Sequence, residues 1–139
     1  MKIDIKGVSI TLTKEQIEEI HRQTNKFKSV KDINNYKDAC EILDEQFLNG
    51  ATCYEQLNTI IRAVNFIDNG YKIWKPKFDG NSYNYYPYFK EVNNSLVFFD
   101  SRCRYIICSG RVGFYLKEET SSYIGKKFIN LYQEIYNKY

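Results

Sequence analysis

The hydrophobic period of this chain changes at Asn69-Gly70, and that change restricts it to folds in which helices and an antiparallel sheet share one core. Upstream, Leu57, Ile60, Ile61, Val64 and Ile67 recur at three- and four-residue spacing, which puts them on one face of a helix. Thr52, with Glu55 three residues later, supplies the reciprocal pair that satisfies two orphan amides at the helix start. Gly70 can take the left-handed conformation that closes its end. Downstream of Tyr71 the chain shifts toward alternation, and strands are expected over 86–92, 96–99, 104–108 and 112–116. Asn93-Asn94-Ser95, residues 100–103 and Ser109-Gly110 separate them. Pro87 donates no hydrogen bond, so its strand belongs at an edge or begins after it. A last helix, from Glu118 or Thr120 to the end, buries Ile124, Phe128, Leu131 and Ile135 against the sheet. Gly125 inside that helix costs about 1 kcal/mol relative to alanine and suits close approach by another backbone.

Residues 2–12 alternate, with Ile3 and Ile5, then Val8, Ile10 and Leu12, around Lys6-Gly7; this spacing predicts a hairpin with a tight turn. Thr13 and Gln16 form a second capping pair before a thin apolar stripe of Ile17, Ile20, Thr24 and Phe27. Residues 29–35 are polar and turn-rich, and a short helix is expected over about 36–44, ended before Asn49-Gly50. The expected class is therefore α+β: an N-terminal hairpin and helices, then a short antiparallel meander sheet packed by a C-terminal helix. Residues 1–30 read as a hairpin-helix appendage and residues 31–139 as the core domain.

At 139 residues with 43% apolar and 27% charged side chains, the chain is long enough to bury a core without staples and unlike a disordered or fibrous chain. Cys103 and Cys108 are close enough to be half of a zinc site, but no second close pair completes one. No metal and no cofactor is expected. Cys40 and Cys53 fall on helices beside apolar neighbours and read as small buried hydrophobes in a reducing cytosol. The N-terminus alternates charges with apolar residues and lacks the apolar core of a signal peptide, and no apolar run is long enough to span a membrane. A soluble, cytoplasmic chain is expected.

Catalytic patterns are weak. The single histidine, His21, lies far in sequence from Cys103, Cys108 and Ser109, so an acyl-transfer triad has no base at hand. Gly110 and Gly113 frame too short a segment for a dinucleotide fingerprint. Asp79, Asp100, Glu118 and Glu119 could supply a carboxylate pair, yet their spacing fits ordinary caps and turns equally well. The expectation is a protein that is not an enzyme.

Binding chemistry is better supplied. Residues 71–139 hold eleven Tyr, six Phe and Trp74, densest at Tyr83-Asn84-Tyr85-Tyr86-Pro87-Tyr88-Phe89. Residues 1–70 carry 9 Lys and Arg against 11 Asp and Glu, and residues 71–139 carry 11 against 6, so the halves stand at −2 and +5. Trp74, Tyr85 and Tyr88 are candidate stacking platforms, with Lys75, Lys77, Arg102, Arg104 and Arg111 as cations for phosphates. The same residue types are the favoured anchors of protein interfaces. A tyrosine half-buried on a sheet is the plainer alternative for any one of these rings.

From about Ile60 onward a longer pattern is present. It comprises Ile60-Ile61-Arg62-Ala63-Val64-Asn65, Trp74-Lys75-Pro76, Tyr86-Pro87-Tyr88-Phe89, Val112-Gly113, and Tyr123-Ile124-Gly125-Lys126-Lys127-Phe128 leading into Leu131-Tyr132. In this order and spacing the chain resembles small accessory proteins of Bacteroidota phages and prophages, departing from them where Thr120-Ser121-Ser122 replaces an alanine-containing helix start. The resemblance implies a setting, the bacterial cytoplasm during infection, and no reaction. Proteins of that gene class commonly inhibit host defence, anti-CRISPR proteins among them. The functional expectation is thus a non-enzymatic, anti-CRISPR-like inhibitor that binds a nucleic-acid-guided nuclease, a CRISPR effector or its RNA, through a basic aromatic face; the alternative is direct binding of RNA or single-stranded DNA.

Overall fold

The computed structural model of the chain describes residues 2–104 and 113–138. It begins with a hairpin, β1 (Lys2–Ile5) and β2 (Val8–Thr11), paired antiparallel. Lys6 and Gly7 turn it with φ of 49° and 81°, the left-handed pair that suits the twist of a two-residue hairpin loop. Helix α1 (Lys14–Thr24) opens on the expected reciprocal cap: Thr13 N–H donates to Gln16 Oε1 at 2.9 Å and Gln16 N–H to Thr13 Oγ1 at 3.3 Å.

Between α1 and α2 (Tyr36–Leu43) the polar connector holds a short 3-10 turn, Val30–Asp32, fixed by Ser29 and Asp32. This segment also feeds the core. Ile33 is fully buried, Phe27 nearly so, and the Tyr71 hydroxyl donates to the Phe27 carbonyl at 2.7 Å. Lys127 Nζ donates to Asn34 Oδ1 at 3.1 Å and to the Lys31 carbonyl at 3.3 Å, tying the turn to the C-terminal helices.

Helix α3 (Cys53–Asp68) is the centre of the molecule. Its start is the Thr52–Glu55 capping box, with Glu55 N–H donating to Thr52 Oγ1 at 3.2 Å and Thr52 N–H to Glu55 Oε2 at 2.7 Å. Leu57, Ile60, Ile61, Ala63 and Val64 are buried together with Ala39 and Ile42 of α2, Tyr115, Ile124 and Phe128. Each fully buried aliphatic side chain of this kind contributes about 1.5–3 kcal/mol.

The second sheet is a long hairpin, β3 (Asn84–Val92) and β4 (Ser95–Arg104), turned by Asn93 and Asn94 with φ of 51° and 61°. The stretch 100–103 is strand rather than the turn its composition suggests. A bulge at Phe99 absorbs one extra residue, and the Asp100 carboxylate accepts from the Ser101 N–H at 2.7 Å. The expected strand over 104–108 lies largely outside the described residues. The expected strand over 112–116 is reduced among the described residues to a bridge in which Tyr115 and Tyr85 exchange backbone hydrogen bonds of 2.8 and 3.1 Å. That bridge sets the direction of β3's outer edge. Pro87, two residues after Tyr85, presents its nitrogen to the same edge, beyond the bridge, where no donor is needed.

The C-terminal helix is broken in two, α4 (Glu118–Lys127) and α5 (Ile129–Lys138), at Phe128. Phe128 is buried at the joint, and the break lets α4 cover β3 and β4 while α5 turns toward α3. Helix α4 has no side-chain N-cap of its own. Asp68 at the end of α3 ties down this first turn through side chains, accepting from Thr120 Oγ1 and pairing with Lys117 Nζ at 3.2 Å. The fold is α+β with helices packed on an antiparallel sheet, and among the described residues no helix is long and apolar enough to cross a membrane.

Candidate binding face on the β3–β4 hairpin

Alternation along β3 sends Tyr85, Pro87 and Phe89 to one side and Tyr86, Tyr88 and Lys90 to the other. The first side faces α4 and α5. Phe89 packs on Tyr132 with ring centroids 4.7 Å apart, and a Cβ at Gly125 would lie 2.6 Å from Pro87 Cβ and 3.1 Å from the Phe98 ring. Only glycine admits this approach, and it seats α4 flat on the hairpin. The sheet's inner face is therefore committed to packing.

The outer face is open along its middle. The Arg102 guanidinium lies 3.5 Å from the Tyr88 ring centroid, Tyr88 meets Phe99 edge to face at 6.2 Å, and Lys90 Nζ sits 3.4 Å from the Phe99 centroid. Four side chains thus form a continuous ladder, cation on ring, ring on ring, ring on cation. Phe99 is 54% exposed and Val97 beside it 47%. Neither Lys90 nor Arg102 is in an ion pair among the described residues. The adjacent carboxylates are engaged: Asp100 with its own strand and Glu91 with the Tyr136 hydroxyl of α5. Two cations without carboxylate partners on an aromatic floor can receive an anionic group, each cation–π contact at an exposed site adding about 0.5–1 kcal/mol.

The candidate residues read from the sequence divide among three places. Tyr88 and Arg102 meet in the ladder. Tyr85 lies on the other side, half-buried against the core and stacked on Tyr83, and burial pushes its phenol above the ordinary range. Trp74, Lys75 and Lys77 sit on the connection after α3, away from the ladder. Arg104 pairs by its backbone with Asn84, while its side chain, like Arg111 and Cys108, lies outside the described residues. Sequence reasoning misses Lys90 and Phe99 as site residues; period-two alternation from Tyr86 and Tyr88 reaches Lys90, whereas Phe99 faces outward only because of the bulge.

Several other reactive groups are held in structural roles, while Cys103 is a free, exposed thiol. The Cys53 thiol, half-buried rather than fully so, donates to the Glu134 carboxylate, which pushes its pKa up and keeps it protonated. Cys40 is buried as expected. The Tyr115 and Tyr132 hydroxyls meet at 2.8 Å, and burial raises both phenols well above the usual tyrosine range. Asp79 accepts from the N–H groups of Asn81 and Ser82, which lower its pKa, and Glu118 and Glu119 occupy the first turn of α4. The side chain of His21 lies outside the described residues. Among the described residues no group of three or more His, Cys, Asp or Glu side chains could hold a metal ion. Compared with protein-family models, characterised proteins and solved structures, the chain finds no match.

Proposed function

We propose that this protein acts by binding, as a non-enzymatic, phage-encoded inhibitor of a bacterial defence system. In this reading the outer face of the β3–β4 hairpin docks on a nucleic-acid-guided nuclease in the host cytoplasm. The setting rests on the resemblance to phage and prophage accessory proteins. The observation that carries the docking surface is the Arg102–Tyr88–Phe99–Lys90 ladder.

Tyrosine and arginine are over-represented among the few interface residues that dominate affinity, and such residues cluster in preorganised groups. Here the ladder is preorganised by its own contacts, so little side-chain entropy remains to be lost on docking. Unpaired bases would have to displace Arg102 and Lys90 to stack on the ring faces those cations cover. That favours a protein partner over bare RNA or single-stranded DNA at this face.

Affinity capture of the tagged protein from bacterial lysate, with and without nuclease treatment, tests the reading. A nuclease of a defence system retained after digestion is expected. Recovery of nucleic acid alone, or loss of the partner on digestion, would favour direct polyanion binding, which should also weaken steeply with salt.

A further inference from the structure

The connection after α3 forms an extended strap, residues 72–78, fastened at both ends by asparagine side chains. Asn69 Nδ2 donates to the Lys72 carbonyl at 3.2 Å, and Asn84 Nδ2 to the Lys77 carbonyl at 2.7 Å. Along the strap Trp74, Pro76 and Phe78 face α3, and Trp74 and Pro76 also border the adjoining surface that carries Ile73, Lys75 and Lys77. A groove of about 290 Å³ remains between strap and helix, a size at the lower end of small-ligand sites.

The helix wall of this groove is built by residues at helical spacing, Tyr54, Asn58 and Arg62. Arg62 is held in place by two bonds to Glu45, of 2.5 and 2.7 Å, which also keep the Glu45 carboxyl below its usual range. The floor is the ring of Phe114, which meets Phe78 edge to face at 5.8 Å and Tyr86 of the hairpin's outer face at 6.2 Å. Among the described residues the Asn58 amide, the Tyr54 hydroxyl and the Trp74 indole N–H have no hydrogen-bond partner. The groove therefore offers aromatic walls and one amide that can both donate and accept. Just outside stand two cations, Lys75 and Lys77, in no ion pair among the described residues.

We propose that this groove is a nucleobase site, the base lying against Tyr54 and Trp74 with its polar edge on Asn58 and its phosphates reaching Lys75 and Lys77. The chemistry fits both requirements of such a ligand. A base needs a flat apolar slot with a donor and an acceptor at its edge, and its backbone needs cations that no carboxylate already holds. The site is separate from the cation–ring ladder, so its occupancy and docking through the ladder can fail independently.

Trp74 is the only tryptophan in the chain, so its fluorescence reports the groove directly. The probes are adenosine, adenosine 5′-monophosphate and a single-stranded oligodeoxyadenylate, with ribose 5-phosphate as the control. Saturable quenching by the base-bearing probes is expected, weakened about tenfold by Asn58→Ala, a loss in line with one hydrogen bond. Asn58 is exposed on α3, so the variant should keep its helix content by circular dichroism. If the base enters from a nucleic-acid strand, the oligomer binds more tightly than the mononucleotide, and Lys75→Ala with Lys77→Ala removes the gain. Equal affinities for the two, both weakened by those lysine substitutions, identify a free nucleotide as the ligand, and binding indifferent to the lysines would overturn the phosphate placement. Absence of saturable quenching, equal quenching by ribose 5-phosphate, or oligomer binding indifferent to Asn58→Ala would each overturn the proposal.

Discussion

Gly125 of α4 lies against Pro87 of β3 so closely that a Cβ at residue 125 would stand 2.6 Å from the proline Cβ. The contact fixes the distance between the C-terminal helix and the hairpin that displays the cation–ring ladder. Gly125→Ala would gain about 1 kcal/mol of helix propensity but overpack a junction with a rigid ring, which typically costs about 1–3 kcal/mol. The expected result is a net loss of stability in urea denaturation; a variant more stable than the parent would show that helix and sheet can separate without cost.

Asn65 joins α3 to the chain that returns to the sheet. Its Nδ2 donates to the Phe114 carbonyl at 2.7 Å and its Oδ1 accepts from the Leu116 N–H at 2.9 Å, so a buried amide takes the place of a neighbouring strand. Asn65→Ala leaves both backbone groups without their partner, and a loss of about 2–3 kcal/mol is expected. Faster hydrogen exchange at the Leu116 amide should accompany it. A loss under about 0.5 kcal/mol, the range of surface substitutions, would mean that Asn65 does not hold this segment.

The paired phenols of Tyr115 and Tyr132 make stability depend on alkaline pH. Burial raises both folded-state values, so the neutral forms are favoured in the native protein. Their contribution is fully present below the unfolded tyrosine value of about 10 and is lost as pH rises beyond it toward the folded values. The urea midpoint should fall above pH 10, and less steeply in Tyr132→Phe, which removes one of the two titrating groups. Identical slopes for the two proteins would contradict this assignment.

Much of the helical half is legible in the amino-acid sequence alone, because its signals are local. Thr52 and Glu55, three residues apart, announce the start of α3, and Asn69-Gly70 its end. Gly125 is legible as a point of close approach, although what approaches it is the Pro87 and Phe98 side chains rather than another backbone. What the sequence hides is tertiary. Cys53 and Glu134 meet across 81 positions, Asn65 replaces strand partners on a distant segment, and Phe128 breaks a helix whose apolar spacing continues unchanged. The candidate face is half legible for a related reason. Counting by twos from Arg102 puts Phe98 outward, but the bulge at Phe99 reverses the alternation, so Phe98 covers Gly125 and Phe99 faces solvent.

Arg102→Ala and Lys90→Ala remove only the exposed cation–ring contacts of the ladder. Each is expected to lower stability by no more than about 1 kcal/mol, with the helical circular dichroism signal unchanged. A larger loss would mean that these side chains hold the hairpin together rather than present a surface.

The most direct measurement is affinity capture from nuclease-treated lysate with the parent protein and with Arg102→Ala and Phe99→Ser side by side, after matching their folded fractions. The expected result is a protein partner that the parent retains and that both variants lose at least tenfold. A partner retained equally by all three would place the docking surface elsewhere and contradict a docking role for the outer face of the β3–β4 hairpin.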